Sequence, residues 1–312
     1  MENIKPTFSE LFEQTINFPD VDMQERFNLL VGLDETKETL KKILSLLVNP
    51  NGVNEWAKRH HPGAKSILNF VTRRPPLIIL AGDVGSGKSE LAYTIGDAVA
   101  RQEELDIALF PLSLSTRGQG RVGQMTQLIS TAFEYTLERA KKLKGSDTNK
   151  SKGAIILLID EADALAQSRE SDQMHHEDKA GVNAFIRGID SLGNGKFPAA
   201  VIMCTNRPNA LDPAIKRRAA EIVYFKRPTD EGRHLVLTGP LTELGFTTHD
   251  IKEIVKLTGP QKGRDYGFTF SDLVQRLLPS FVLDAYPNNA VEAKKAIEIV
   301  KLVIPTSPFK EI

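Results

Sequence analysis

The residues best suited to chemistry form one uninterrupted run, residues 82–89, with the sequence Gly-Asp-Val-Gly-Ser-Gly-Lys-Ser. This run fits G-x-x-x-x-G-K-[ST], the pattern of a loop whose backbone N–H groups surround phosphate groups. Its glycines permit backbone conformations that a Cβ atom disfavours, Lys88 brings a positive charge to the β- and γ-phosphates, and Ser89 offers a hydroxyl to Mg²⁺. We refer to residues 82–89 as the phosphate loop. The residues expected to bind nucleotide here are Asp83, Val84, Gly85, Ser86, Gly87, Lys88, Ser89 and Glu90.

Two carboxylates and an amide follow apolar runs further along the chain. Asp160 and Glu161 come directly after residues 155–159, and Asn206 comes after the run that ends at Thr205. A carboxylate at the tip of a strand beside a phosphate loop can hold Mg²⁺, so Ser89 and Asp160 are the expected metal ligands. Glu161 is placed to polarise a water for attack on the γ-phosphate, and Asn206 to orient that water. The pattern therefore predicts nucleotide hydrolysis.

These residues need a parallel sheet to position them, and the hydrophobic pattern predicts one. Helical segments separate the apolar runs, the clearest of them over residues 122–140. Strands alternating with helices of this length form a parallel sheet covered on both faces. The predicted strands are 77–81, 107–114, 154–160, 199–206 and 221–225.

The hydrophobic pattern changes after Pro228. Helical patterns continue beyond this residue, but no convincing strand follows. This change predicts an α/β nucleotide-binding domain followed by a small all-helical domain. The expected segments are an N-terminal segment 1–26, an α/β domain 27–227 and a helical domain 228–312.

Composition narrows the class of protein. The chain has 40 Lys and Arg residues and 40 Asp and Glu residues, so no net charge directs it to nucleic acid or to an anionic membrane. The single cysteine, Cys204, lies in an apolar run and is expected to be a buried hydrophobic residue. Without a signal peptide or a long apolar run, we expect a cytoplasmic protein with no membrane partner.

The order and spacing of the motifs resemble those of the AAA+ ATPases, over about residues 28–300. The resemblance is to the branch of katanin-like and pachytene-checkpoint-type remodellers. It implies a AAA+ P-loop fold, with a five-stranded parallel sheet sandwiched by helices and a C-terminal helical lid. It also implies ATP as the nucleotide and a homo-oligomeric ring, usually a hexamer, with ATP between subunits. Besides the phosphate loop, the motifs are ILLIDEAD at 156–163, MCTN at 203–206 and LDPAIKRR at 211–218.

The same resemblance implies roles for residues outside the phosphate loop. The linker over residues 30–37 would line the adenine pocket with its backbone, and Gly32 belongs to it. Arg217 and Arg218 would be arginine fingers that reach the γ-phosphate held by the neighbouring subunit, with Arg218 slightly favoured. An arginine finger accelerates hydrolysis by about 10³–10⁵-fold. Arg276 of the lid is expected to be structural.

Within the superfamily, residues 118–125 and 162–189 are similar to the pachytene-checkpoint-type ATPases, which unfold part of HORMA-domain proteins. Those eukaryotic proteins carry an N-terminal adaptor-binding domain, which residues 1–26 are too short to supply. They also place an aromatic pore residue at a loop matching residues 115–117, where Leu114 or Arg117 would grip substrate instead. A second pore loop would fall within residues 168–179. The compact form is similar to bacterial relatives in cyclic-oligonucleotide anti-phage (CBASS) systems, which implies a HORMA-domain partner, with or without an adaptor.

Two other functions remain as alternatives. One is a AAA+ nucleic-acid motor or loader, against which the balanced charge and the lack of a DNA-binding module argue. The other is a nucleotide switch without turnover, which Lys88, Asp160 and Glu161 disfavour. The pairs His60-His61 and His175-His176 have no partner ligands at zinc spacing, so we expect no zinc site there.

Overall fold

The computed structural model describes residues 6–12, 14–113, 124–145, 151–166, 176–193 and 195–309. The strands are β1 Ile16–Phe18, β2 Leu77–Gly82, β3 Ile107–Ser113, β4 Ala154–Asp160, β5 Ala199–Thr205 and β6 Ala219–Phe225. The helices are α1 Phe8–Leu11, α2 Val21–Leu29, α3 Asp34–Val48, α4 Pro50–His60, α5 Lys65–Thr72, α6 Lys88–Glu103, α7 Gln124–Leu143, α8 Asp163–Ala166, α9 His176–Leu192, α10 Pro213–Lys216, α11 Asp230–Glu243, α12 Thr248–Thr258, α13 Leu278–Ala285 and α14 Ala293–Leu302, and a π-helical turn, Asp272–Leu277, precedes α13.

The strands form one sheet in the order β1-β3-β4-β5-β2-β6. The neighbouring pairs β3–β4, β4–β5 and β5–β2 are parallel, and the apolar residues of β2, β4 and β5 are buried, as the sequence predicts. In the β-sheet register, Ala81 lies opposite Thr205, and Ile159 lies opposite Met203. The carboxyl ends of β2, β5 and β4 are therefore side by side. The predicted site residues follow directly from these three strand ends. The fold class expected from the sequence is confirmed.

The sheet has one strand more than the five predicted. β1 pairs antiparallel with β3, and its three residues are too few to show a hydrophobic period. Phe18 of β1 is buried against α6 at Gly96, where a Cβ atom would lie 2.3 Å from the Phe18 ring. Phe8 meets the Phe110 ring of β3 edge to face, and Phe12 meets it at a tilt, with ring centroids 5.2 and 5.1 Å away. Phe12 and Phe18 thus belong to the buried core, whereas Phe8 covers it from the surface.

Helix α3 begins at Asp34, and its apolar residues Leu40 and Leu44 are buried. It ends at Val48, before residues 49–52, whose sequence Asn-Pro-Asn-Gly is typical of a turn. These residues do not form a loop, because Pro50 occupies the first turn of α4, where its missing N–H is tolerated. Cys204 is buried in β5. In the part of the chain that the structure describes, no helix is long and apolar enough to cross a membrane.

The first of two compact units contains the described residues within 1–28, 35–81 and 89–224. Its core lies between the sheet and the covering helices. Helices α7 and α9 pack together there, and the rings of Phe133 and Phe185 meet edge to face at 5.7 Å. This core fixes the strand ends from which the site is built.

The second unit groups residues 29–34 and 82–88 with the described residues from 225 onward. Its core is helical and includes Leu237, Ile254, Phe268 and Phe281. The helical character predicted after Pro228 is therefore confirmed, and the domain boundaries at 26 and 227 stay a prediction.

Candidate functional site

The phosphate loop has the backbone that the glycine pattern predicts. Gly82, Gly85 and Gly87 have φ values of 152°, 73° and 94°, a region that residues with a Cβ atom rarely enter. At Gly82 the space is closed as well, because a Cβ atom would lie 2.2 Å from the carbonyl oxygen of Phe225. Substitution at this position would therefore distort the loop.

Lys88 holds its ammonium group against the loop. The side chain is buried, and Nζ donates to the carbonyl oxygens of Gly82 at 3.0 Å and Asp83 at 2.7 Å. The fully buried Ser86 Oγ also donates to the Asp83 carbonyl, at 2.7 Å. The Lys88 ammonium therefore lies at the phosphate loop, where the sequence predicts that it meets the β- and γ-phosphates.

Asp83 plays a part that the sequence did not indicate. Its carboxylate accepts hydrogen bonds from the Val84 N–H at 2.9 Å, from the Arg227 guanidinium at 2.6 Å and from the Phe309 N–H at 3.3 Å. Arg227 in turn donates to the Gly267 carbonyl and lies 5.0 Å from the centroid of the Tyr266 ring. The Asp83 side chain thus anchors the loop. The predicted contact of Asp83 with phosphate therefore falls to its backbone N–H group.

The linker expected at the adenine lies beside the phosphate loop. Gly32 has a φ of 80°, and its Cβ position would be 3.4 Å from the ring of Phe270. The side chain of Leu33 lies 3.3 Å from the Cβ position of Gly87. Gly32 and the phosphate loop therefore lie close together, and the contact of the linker with adenine stays a prediction.

Ser89 and Asp160 form the candidate metal site. Ser89 Oγ donates to Asp160 Oδ1 at 3.1 Å. Two ligands on adjacent corners of a Mg²⁺ octahedron are about 3.0 Å apart, given metal–oxygen distances of about 2.1 Å. The pair therefore fits Mg²⁺, a cation that takes one or two protein oxygens and completes its shell with phosphate and water. The described residues contain no group of three or more His, Cys, Asp or Glu side chains arranged to hold a metal.

Glu161 stands at the end of β4 in a conformation that is rare for a residue with a side chain. Its φ is 52°, its side chain is exposed, and its N–H donates to Asp160 Oδ1 at 2.9 Å. The next N–H, of Ala162, donates to the Cys204 carbonyl of β5 at 3.0 Å. Strained backbone of this kind persists where the surroundings hold it, and it is concentrated at functional sites.

Glu90 follows Ser89 in the first turn of α6. Its carboxylate forms two hydrogen bonds with Arg26, at 2.7 and 2.8 Å. The predicted contact of Glu90 with nucleotide therefore remains a prediction about its backbone N–H group.

Asn206 is held by a carboxylate that the sequence analysis gave no role. Asp163 accepts hydrogen bonds from Asn206 Nδ2 at 3.2 Å, from the Asn206 N–H at 2.7 Å and from Thr205 Oγ1 at 2.9 Å. The motif at 156–163 contained Asp163, three residues after Asp160. Only the fold shows that it faces the end of β5.

The two candidate arginine fingers differ in their surroundings. Both follow α10, which Asp212 caps by accepting from the Ala214 N–H at 2.7 Å. Arg218 forms a two-bond ion pair with Asp190 of α9, at 2.7 and 2.9 Å, and this partner raises the pKa of Arg218. Arg217 is exposed. The sequence favoured Arg218, whereas the geometry makes Arg217 the more accessible of the two.

Other candidates of the sequence analysis have local partners of their own or lie outside the described chain. Arg276 pairs with Asp272 at 3.0 Å, which agrees with a structural role. His60 and His61 stack near Trp56, with ring centroids 5.9 and 5.1 Å away. The first pore loop, with Leu114 and residues 115–117, lies outside the described residues, as do residues 167–175 of the second loop with His175.

Comparison with known proteins identifies a matching family and similar relatives. The family described as "ATPase family associated with various cellular activities (AAA)" matches residues 78–227. CD-NTase-associated protein 6 of Escherichia coli strain MS 115-1 is 63% identical over 307 residues, covering 98% of each chain.

Solved structures also resemble this chain over nearly its whole length. A chain in the structure of the E. coli MS115-1 HORMA:CdnC:Trip13 complex superposes with a TM-score of 0.90 at 62% identity, covering 98% of this chain and 100% of the other. The structure of a Rhizobiales Trip13 superposes with a TM-score of 0.75 at 53% identity, covering 96% of this chain and 100% of the other.

Proposed function

Because the chain belongs to the AAA ATPase family, we propose that it forms a ring that couples ATP hydrolysis to the partial unfolding of a HORMA-domain protein. The observation that carries the catalytic part is the 3.1 Å contact between Ser89 Oγ and Asp160 Oδ1. It joins the residue after Lys88 to the end of the strand that presents Glu161. In this proposal, residues 27–227 form the ATPase domain and residues 228–312 the lid.

The proposed binding step uses the loop and the linker. The N–H groups of residues 83–90 and the Lys88 ammonium take the phosphates, and the backbone around Gly32 takes the adenine. Mg²⁺ held by Ser89 and Asp160 would neutralise charge on the β- and γ-phosphate oxygens. Because Lys88 is already buried at the loop, little side-chain entropy remains to be lost on binding.

The proposed hydrolytic step uses two strand ends. Glu161 accepts a proton from the attacking water, and Asn206 accepts a hydrogen bond that orients the same water. The carboxylate of Glu161 is exposed, so a water molecule can reach it. Both residues are tied to the end of β5, through Ala162 N–H for Glu161 and through Thr205 for Asn206.

The proposal of a ring rests on the expected role of Arg217 and Arg218 as arginine fingers for a neighbouring subunit. Fingers supplied by a neighbouring subunit make hydrolysis depend on assembly, and a head-to-tail contact of this kind closes into a ring, here a hexamer. Arg217 is exposed for this contact, and Arg218 would exchange Asp190 for phosphate.

The HORMA-domain partner and the anti-phage setting are proposed from the relatives. A 62% identical chain was solved in a HORMA:CdnC:Trip13 complex, and the 63% identical relative is named for its association with a CD-NTase. At this identity the surface that meets the partner is expected to be largely shared.

The proposal is tested by measuring ATP turnover with and without the HORMA protein of the E. coli MS 115-1 complex. The wild-type chain should hydrolyse ATP faster when that protein is present. Glu161→Gln should still bind ATP, lose turnover by about 10²–10⁴-fold, and retain the HORMA protein on the ring. Glu104→Gln is the matched control, because Glu104 also has a positive φ, 49°, but lies away from the strand ends of the site.

Three results would count against the proposal. Unchanged turnover of Glu161→Gln would remove this residue from catalysis. If the HORMA protein neither bound to the chain nor stimulated its ATP turnover, the proposed partner would be wrong. Stimulation by duplex DNA in its place would favour the nucleic-acid motor.

A further inference from the structure

Asp163 gathers three hydrogen bonds from the end of β5. Its Oδ1 accepts from Thr205 Oγ1 and from the Asn206 N–H, and its Oδ2 accepts from Asn206 Nδ2. The carboxylate therefore holds both the backbone and the side-chain amide of Asn206. Asp163 begins α8, two residues after Glu161, so the same short segment carries the proposed base.

The chemistry of this contact decides which end of the amide faces outward. An ionised carboxylate accepts hydrogen bonds and donates none, so the amide must turn its NH₂ group toward Asp163. The carbonyl oxygen of Asn206 then points away from Asp163 as an acceptor. A water that attacks phosphate needs such an acceptor for one of its hydrogens, whereas an inverted amide would offer it a donor.

We infer that Asp163 is a positioning residue for ATP hydrolysis, which fixes the orientation of the Asn206 amide and through it the attacking water. This inference rests on the proposed role of Asn206. It adds a third member to the site, one that orients and does not contact the reacting atoms. The backbone hydrogen bond from the Ala162 N–H to the Cys204 carbonyl also joins the ends of β4 and β5. The positions of Glu161 and Asn206 are therefore fixed relative to each other.

The test is a charge exchange between positions 163 and 206. In Asp163→Asn the new amide keeps the acceptor for Thr205 but turns its NH₂ group toward the NH₂ group of Asn206. In Asn206→Asp two carboxylates face each other at about the 3.2 Å spacing of the present bond. In the double variant, the amide introduced at position 163 donates to the carboxylate introduced at position 206. The second oxygen of that carboxylate remains an acceptor for water.

We expect each single variant to lower kcat by about tenfold or more, with KM for ATP changed by less than about threefold, because the water and not the nucleotide is misplaced. The double variant should recover kcat to within about threefold of the wild-type value, a coupling that additive effects cannot produce. The matched control is Asp272→Asn, the same change at a buried carboxylate that also accepts from threonine hydroxyl and backbone N–H groups. It should lower stability and leave kcat unchanged.

The outcomes separate this inference from the proposed function. If Asn206→Ala is impaired while Asp163→Asn turns over like the wild type, the inference alone is wrong. If both single variants are impaired and the double variant is no better, the orientation argument is also wrong. If Asn206→Ala turns over normally, Asn206 and Asp163 both lose their roles, while the Glu161→Gln result still decides whether the chain hydrolyses ATP as proposed.

Discussion

Gly188 in α9 lies so close to Phe133 of α7 that a Cβ atom would come within 2.3 Å of the ring. In the same helix, the Cβ position of Gly181 is 3.4 Å from its nearest neighbour, the sulfur of Met125, which is an ordinary contact. Two glycines of one helix thus differ in what a single methyl group would meet. One is required by packing, and the other is not.

This difference predicts opposite effects on stability. Gly188→Ala should destabilise the chain by about 1–3 kcal/mol, because the methyl group overpacks the core between α7 and α9. Gly181→Ala should be neutral or should stabilise it by about 0.4–1 kcal/mol through the lower entropy of the unfolded chain. Denaturant unfolding of the two variants checks this, and equal losses in both would contradict it.

The sequence indicates candidate site residues where the signal is local, and it does not indicate the partners that hold them. The phosphate loop, Asp160 and Glu161 carry their chemistry within a few neighbouring residues. The partners that hold the site are distant along the chain: Asp163 is 43 residues from Asn206, Asp190 is 28 from Arg218, and Asp83 is 144 from Arg227. Such pairs depend on the fold, so no local pattern identifies them.

At the scale of elements, Asp272 joins the start of one helical segment to the end of the chain. It accepts from the Thr269 N–H, while its own N–H donates to Thr269 Oγ1, the reciprocal pair that starts a helix. It also accepts from the N–H and hydroxyl of Thr306. Burial alone would raise the pKa of Asp272, but together these hydrogen bonds hold the pKa below its ordinary value.

The lowered pKa predicts a stability that depends on pH. A carboxyl whose pKa is lowered by folding stabilises the native chain above its unfolded pKa of about 3.9, and this contribution is lost as pH falls through the folded pKa. Asp272→Asn should therefore melt at a lower temperature than the wild type at pH 7. The difference should shrink below about pH 4. Melting curves from pH 7 to pH 3 measure it, and a constant difference would contradict the argument.

Elements were predicted from the sequence where they are long and apolar. β4 and β5 are buried along nearly their whole length, so their runs were unmistakable. β1 has three residues, and its place in the sheet follows from Phe18 packing on Gly96. α4 was missed because its Asn-Pro-Asn-Gly start is typical of a turn, although proline is also suited to a first helical turn.

At the scale of the whole molecule, the proposed ring predicts that inactive subunits rescue each other. Arg217→Ala or Arg218→Ala subunits keep their own Glu161, and Glu161→Gln subunits keep both arginines. In an equal mixture, about a quarter of the interfaces would combine an intact base with an intact finger. ATP turnover should therefore reappear on mixing, whereas each variant alone should be nearly inactive.

Asp190→Ala controls for the ion pair of Arg218. If Arg218 serves only to bind Asp190 within its own subunit, Asp190→Ala will reproduce the Arg218→Ala defect, and mixing will not restore it. Absence of rescue for both arginines would remove the shared interface from the proposal.

The ion pair between Asp83 and Arg227 has a thermodynamic consequence. Through it, and through the Phe309 N–H, the phosphate loop belongs to the same compact unit as the helices that follow Arg227. A nucleotide bound by the loop then raises the free energy of unfolding of that unit. By reciprocity, any contact that stabilises the unit raises the affinity of the loop for nucleotide. The stability of this unit would therefore respond to ATP binding through linkage alone, before any bond is hydrolysed.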